Sequence, residues 1–302
     1  ICLSLIFAKL LKTNARMKAI VFTKYGPPEK VKVKEIEKPT PTANEVLVRV
    51  HATAINDYDW SLVRGRPYAY RLLFGLTKPK WQIPGMEVAG TVETIGDNVT
   101  LFKVGDEVYG DTSTYGFGCF AEYVCVHEKA LVHKPAQMSF EEATTIPHAA
   151  MLAYQGLIDV GRIQKGQQIL INGAGGGVGT FGLQIGKLHA AEVTGVDTGD
   201  KLEMMRELGF DHIIDYKKED FTRNGKHYDL ILDCKTNRPT KAYVRTLKPN
   251  GCYATVGGTL NRLLQAFLCS PVVSLFYRKK IRLVALKPNK DLVYINKLYE
   301  EG

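Results

Sequence analysis

From Met17 to about Ala143, apolar and polar residues alternate in short runs: MKAIVF, EVLVRVHATAI, MEVAGTVETIG, DEVYG and AEYVCV. Period-two alternation, broken by Pro- and Gly-bearing turns such as YGPPEK and KPTPTANE, predicts β-strands. This stretch reads as a mostly β domain with a barrel-like core. The segment RGRPYAYRLLFGLTKPKW interrupts it and is aromatic and basic. It is either a surface loop with a short helix or a wall of a substrate pocket. From about Thr144 the rhythm changes. SFEEATTIPHAAMLAYQGLI has a helical pattern, then strand QILIN, a glycine turn, helix VGTFGLQIGKLHA, strand EVTGVD and helix KLEMMRELG follow. Further strands are HIIDY, DLILDC, CYATVG and IRLVAL. Strands alternating with helix-length segments predict βαβ units and a doubly wound parallel sheet, so the fold class is α/β with an added β domain.

The length, 302 residues, suits two domains. No apolar run approaches the ~20 residues of a membrane span. The net charge is +9, with positive residues scattered apart from short groups such as Arg278-Lys279-Lys280. Solvated lysines are the simpler reading than a nucleic-acid surface. Six cysteines, at 2, 119, 125, 234, 252 and 269, have neither CxxC nor zinc-cluster spacing and are expected to be reduced. The opening ICLSLIFAKLLKTNAR is apolar, then basic, with no acid. It fits a fragment of a targeting segment or an upstream extension, with the domain proper starting at Met17. The expected location is cytoplasmic, or mitochondrial if 1–16 belongs to a targeting segment.

The run INGAGGGVGT, residues 171–180, raises the question of chemistry. It contains A-x-G-x-x-G between a strand and a helix, the context in which such a run cradles a pyrophosphate. Ala174 is assigned to the tight turn, Gly176 to close approach of the phosphates, and Gly179 to helix–strand packing. Gly175, Gly177 and Val178 complete the expected cofactor contacts. The helix N-terminus adds free N–H groups and a positive dipole end. Asp197 ends the next strand, where an acid can bond a ribose hydroxyl. That carboxylate favours NAD over NADP, although Thr198, Lys201 and Tyr216 lie where a 2′-phosphate could be held.

With these residues in view, the chain resembles the medium-chain dehydrogenase/reductases, in their zinc-independent quinone oxidoreductase branch. The resemblance rests on EVLVRVHATAIN-x-x-D, PGMEVAGTVETIG, VGDEVYG, FAEYVCV, QKGQQILINGAGGGVGTFGLQIGKLHAAEVTGVD and LKPNGCYATVGG. It implies a GroES-like catalytic domain at 17–143 and a Rossmann cofactor domain at 144–288. It implies that 289–302 begins a C-terminal segment that returns to the catalytic domain and is cut short here. Val256, Gly257 and Gly258 match a turn that contacts the cofactor in the family. Relatives are often homodimers joined through the last Rossmann strand, here near IRLVAL.

Zinc-dependent relatives place a Cys where this chain has Asn56 and a His where it has Met86; their third ligand falls near His148. One ligand in three cannot hold a catalytic zinc, so no zinc is expected. Without a Lewis acid, hydride delivery to an already electrophilic acceptor remains, such as a quinone or an α,β-unsaturated carbonyl. Asn56 and Tyr58 are the candidate hydrogen-bond donors to the developing oxyanion, and Asp59 is expected to orient their loop. Ser61 and Leu152 stand where some relatives have Tyr and Thr. A zinc-free alcohol dehydrogenase-like enzyme and a catalytically weak cofactor-binding protein are the alternatives.

Overall fold

A computed structural model describes residues 15–302. The opening segment and Cys2 therefore lie outside the described residues, apart from the last two residues of the 1–16 extension. The chain divides into two compact units, one running to Pro147 and taking back Leu292–Gly302, the other spanning His148–Asp291.

In the first unit, β1 (Arg16–Val21) pairs with β2 (Lys32–Glu37) as an antiparallel hairpin. A five-stranded antiparallel sheet follows, in the order β6-β3-β4-β5-β7. Its strands are β3 (Glu45–Ala52), β4 (Glu87–Ile95), β5 (Glu107–Asp111), β6 (Tyr123–His127) and β7 (Val132–His133). The alternation explains the core. Val46 and Val48 of β3, Val88 and Val92 of β4, and Val124 and Val126 of β6 turn to one face and bury together. Each fully buried valine contributes about 1.5–3 kcal/mol. The interrupting segment supplies α1 (Asp57–Arg64) and the short α2 (Arg71–Phe74). Their aromatic residues gather around Phe74, with Tyr58, Tyr70, Trp81 and Phe117 at ring distances of 5.7–5.9 Å from it. The helical pattern after Ser139 breaks into α3 (Phe140–Thr145) and α4 (Pro147–Tyr154), because Pro147 can start a helix but not continue one.

The second unit carries the expected α/β fold. Its six strands are all parallel, in the order β10-β9-β8-β11-β12-β13. They are β8 (Gln168–Asn172), β9 (Glu192–Asp197), β10 (His212–Asp215), β11 (Tyr228–Asp233), β12 (Leu247–Thr255) and β13 (Lys280–Leu283). Numbered within the unit the order is 3-2-1-4-5-6, that of the Rossmann sheet, and it reverses between β8 and β11. Helices cover both faces, so QILIN and DLILDC are apolar at successive positions rather than alternating. Ile169, Ile171, Leu230 and Leu232 pack under α5 (Gly177–Leu188) and α6 (Lys201–Leu208). Leu170, Ile231 and Tyr253 face the other way, onto α7 (Thr240–Arg245) and α8 (Leu260–Tyr277). The last helix, α9 (Leu292–Glu301), packs with the first unit: Asn296 Nδ2 donates to the His133 carbonyl at 3.1 Å, and Tyr299 donates to Glu142 at 3.1 Å.

Candidate active site

The glycine run forms the turn from β8 into α5, at the carboxyl end of the sheet where its order reverses. Gly173 alone in the run has a left-handed backbone, φ +89°. The tight turn therefore depends on Gly173, which corrects its assignment to Ala174. Ala174 is fully buried and serves as the floor on which α5 lies. A Cβ on Gly179 would stand 2.3 Å from the Ala174 carbonyl oxygen, so Gly179 does set helix–strand packing. Gly176 is the N-cap of α5 and caps no amide with a side chain. A Cβ there would meet only the Gly173 oxygen, at 3.6 Å, so the space beside Gly176 is left to something other than the protein. The amides at Gly177, Val178 and Gly179 open the helix above that space. This cradle fits a pyrophosphate. The Gly175 amide is different, because it donates to Asp197 Oδ2 at 3.0 Å.

Asp197 is buried at the end of β9 and is already engaged. Its Oδ1 accepts from the Thr198 amide at 3.0 Å, and Lys201 Nζ lies 3.6 Å from Oδ2. Each carboxyl oxygen keeps a second lone pair for a ribose hydroxyl. The Thr198 hydroxyl donates to Asp215 Oδ1 at 2.8 Å, and the Lys217 amide donates to the same oxygen. These bonds hold the Asp215 carboxyl below its ordinary range. Tyr216 is half-buried, its amide donating to the Asp197 carbonyl at 3.2 Å. The Val256-Gly257-Gly258 turn follows β12. The Gly257 carbonyl accepts from the Thr255 hydroxyl at 2.8 Å and from the Thr236 hydroxyl.

Sequence reasoning missed the group that braces this end of the sheet. Asp233, at the end of β11, is fully buried. It accepts from Asn172 at 2.8 Å, from the Tyr253 hydroxyl at 2.7 Å, and from the amides of Lys235 and Thr236 at 3.0 and 2.8 Å. The signal was an acid closing an apolar strand. Arg238 is half-buried, and its Nε has no hydrogen-bond partner among the described residues.

In the first unit, Asn56 caps α1. Its Oδ1 accepts from the amides of Tyr58 and Asp59 at 2.8 and 3.3 Å, and Asp59 Oδ2 accepts from the Asn56 amide at 3.2 Å. This reciprocal capping box corrects the expectation of a loop here: Tyr58 and Asp59 are in the first turn of a helix. The other Asp59 oxygen accepts from the Gly85 amide at 3.1 Å, tying the helix to the PGMEVAG segment. Asn56 Nδ2 donates to Glu87 at 3.1 Å. Met86 is buried, and its carbonyl accepts from the Thr112 amide at 2.7 Å.

These residues do not fit a catalytic zinc. Asn56 has an amide committed to the helix end and to Glu87, and Met86 offers a buried thioether. Among the described residues no group of three His, Cys, Asp or Glu is placed to hold a metal ion. The Tyr58 ring stacks on Phe117 and meets Phe74 edge-on, while its hydroxyl donates to nothing among the described residues. Burial, helped by Tyr70 and Asp111, pushes the phenol up to about 12, so it keeps its proton at any working pH. Leu152 is a core residue, and the hydroxyl carried there by some relatives is not replaced at that position.

Known families match both units. The alcohol dehydrogenase GroES-like domain matches residues 42–136, and the zinc-binding dehydrogenase family matches residues 177–286. A chloroplastic quinone oxidoreductase of Triphysaria versicolor is 30% identical over 298 residues, covering 95% of this chain and 88% of its own length. The chain belongs to the medium-chain dehydrogenase/reductase family. A second member of that family, 2-methylene-furan-3-one reductase of Solanum lycopersicum, is 34% identical over 255 residues, which cover 82% of this chain and 63% of the tomato protein. Among solved medium-chain dehydrogenase/reductases, the quinone oxidoreductase of Coxiella burnetii superposes with a TM-score of 0.82 at 27% identity, covering 95% of this chain and 88% of its own.

Proposed function

We propose that this chain reduces a quinone or an α,β-unsaturated carbonyl with NAD(P)H, without zinc. The observation that carries the reading is the donor set at Asn56 and Met86, which gives up metal ligation in a chain whose second unit keeps an intact dinucleotide cradle. When bound, the reduced nicotinamide supplies the hydride. The α5 N-terminus and the Gly173–Gly179 turn hold the pyrophosphate, and Asp197 receives the adenosine ribose. The Tyr58 hydroxyl donates a hydrogen bond to the oxyanion that develops on the conjugated acceptor. Asn56 keeps one Nδ2 hydrogen beyond the Glu87 bond and can join it. Asp59 positions both by closing the capping box and holding Gly85. The names of the plant and bacterial relatives support the acceptor class.

Turnover of reduced cofactor with a naphthoquinone, an enone and a simple aldehyde tests this reading. Turnover is expected with the first two. Tyr58→Phe is expected to lower kcat about a hundredfold while leaving cofactor affinity unchanged. Aldehyde reduction at a comparable rate, or tight cofactor binding with no turnover, contradicts the proposal.

For the cofactor we favour NAD(H) over NADP(H). The buried Asp197 carboxyl would meet a 2′-phosphate directly, whereas the cations nearby, Lys201 and, beside Asp215, Lys217 and Lys218, sit on exposed side chains. Asp197→Ser is expected to shift the affinity ratio toward NADPH by about tenfold, read by fluorescence titration of both reduced cofactors. An unchanged ratio sinks this preference.

A further inference from the structure

The loop after β11 aims a lysine at the glycine turn. Lys235 is an exposed residue, but its side chain is laid back across the end of β8. A Cβ on Gly173 would stand 3.0 Å from Lys235 Cγ and 3.1 Å from Cε, so the stem lies over the first residue of the turn. The ammonium, one bond beyond Cε, has no ion-pair or hydrogen-bond partner among the described residues. The backbone that sets this direction is strained. Thr236 has φ +49°, in the left-handed region that a β-branched residue rarely adopts. Its amide donates to Asp233 Oδ1 at 2.8 Å, its hydroxyl meets the Thr255 hydroxyl at 2.8 Å, and that hydroxyl also bonds the Gly257 carbonyl. Strain of this kind persists where the surroundings over-determine it, and it gathers at ligand sites.

Gly173 borders two things at once. Lys235 lies over it, and its carbonyl oxygen is the atom that a Cβ on Gly176 would meet, at 3.6 Å. The cation therefore flanks the space left beside Gly176. Around that space the strand ends are acidic: Asp197, Asp215 and Asp233 close β9, β10 and β11. Lys201 is engaged with Asp197, 3.6 Å away. A diphosphate entering the cradle would meet backbone amides and this acidic rim, and a cation at the turn offsets the rim.

We propose that Lys235 is a phosphate ligand of the dinucleotide, closing the cradle from the β11 side and pairing its ammonium with the diphosphate. This role rests on the dinucleotide reading above and adds a side-chain cation to a cradle otherwise built from backbone. Sheet order selects the diphosphate over a 2′-phosphate. Strand β8 stands between β9 and β11. The adenosine ribose belongs to Asp197 on the β9 side and the diphosphate to the turn that leaves β8, so a cation from β11 reaches the diphosphate first.

The test is fluorescence titration of the intact protein with NADH and NADPH, and displacement of NADH by ADP-ribose, which carries the diphosphate without the nicotinamide. Lys235→Met keeps a stem over Gly173 and removes the charge. It is expected to weaken all three ligands by the same factor, about tenfold for one charge-assisted contact, and to flatten the dependence of affinity on salt. Lys235→Arg keeps the charge and should stay within about threefold of the parent. Both variants should melt with the parent, since residue 235 is exposed. Parent-like affinity and salt dependence in Lys235→Met overturn the proposal and leave the cradle standing. A loss confined to NADPH overturns it by placing the cation on a 2′-phosphate. An equal loss in Lys235→Arg overturns it by assigning the effect to the stem. Parent protein that binds none of the three ligands overturns the dinucleotide reading itself, and the role of Lys235 with it.

Discussion

Gly179→Val leaves the protein unable to bind NADH or NADPH at concentrations that saturate the parent, and lowers its melting temperature. The new Cβ would stand 2.3 Å from the Ala174 oxygen and 2.4 Å from its Cα, distances that no side-chain rotation relieves because both atoms are backbone. Ala174 is fully buried and cannot retreat. Helix α5 must lift instead, carrying its amides away from the phosphates, at a cost of about 1–3 kcal/mol in packing alone. Gly176→Ala separates the two roles. Its Cβ meets only the Gly173 oxygen at 3.6 Å, so the fold should melt as the parent does while cofactor affinity falls, because the methyl occupies the space left for the pyrophosphate. Fluorescence titration and thermal denaturation of both variants check this. Parent-like affinity in Gly179→Val would contradict the cradle.

The second large effect belongs to Asp233. Asp233→Ala strands three donors, the Tyr253 hydroxyl and the amides of Lys235 and Thr236, while Asn172 Nδ2 keeps Asn237 Oδ1 and the Tyr243 hydroxyl oxygen as acceptors. Each buried, unsatisfied donor costs about 1–3 kcal/mol. Relaxation and water entry recover part of this, and a net loss of about 3–5 kcal/mol is expected in urea denaturation. The effect reaches the cofactor site because the loop that Asp233 holds lies against the glycine turn: a Cβ on Gly173 would stand 3.0 Å from Lys235 Cγ. Asp233→Asn keeps an acceptor oxygen for part of the set and should lose about half as much. A loss below about 1 kcal/mol in Asp233→Ala would show that water replaces the carboxyl without strain.

Much of the second unit could be read from the chain. Apolar runs such as QILIN and DLILDC, separated by helix-length segments, can be buried on both faces only as parallel strands, and the glycine run marks the turn by its steric needs. What escaped was local. β2 was not identified, because KVKEIE is charged and nearly all exposed, and is a strand only by pairing with β1. Helix α1 is hard to see in the chain, although Asn56 and Asp59 carry the N-cap and N3 spacing of a capping box; it follows β3 closely, and the aromatic run obscures its period. Helix α8 has apolar residues on all sides and Pro271 inside, so no polar face announces it. Asp233 looked like the end of a strand, since one sequence cannot reveal that Asn172 and Tyr253 converge on it. The candidate donors Asn56 and Tyr58 are legible by type, but the commitment of the Asn56 amide, and a Tyr58 hydroxyl that donates to nothing among the described residues, emerge only in three dimensions.

The central claim is hydride delivery to a conjugated acceptor without a metal. It is tested most directly with cofactor deuterated at the transferable position of the nicotinamide, an enone as acceptor, and protein dialysed against a chelator. The account predicts undiminished turnover and a saturated ketone with deuterium on the former β-carbon. Deuterium on the carbonyl carbon of an alcohol product, or activity that the chelator removes and zinc restores, would contradict it.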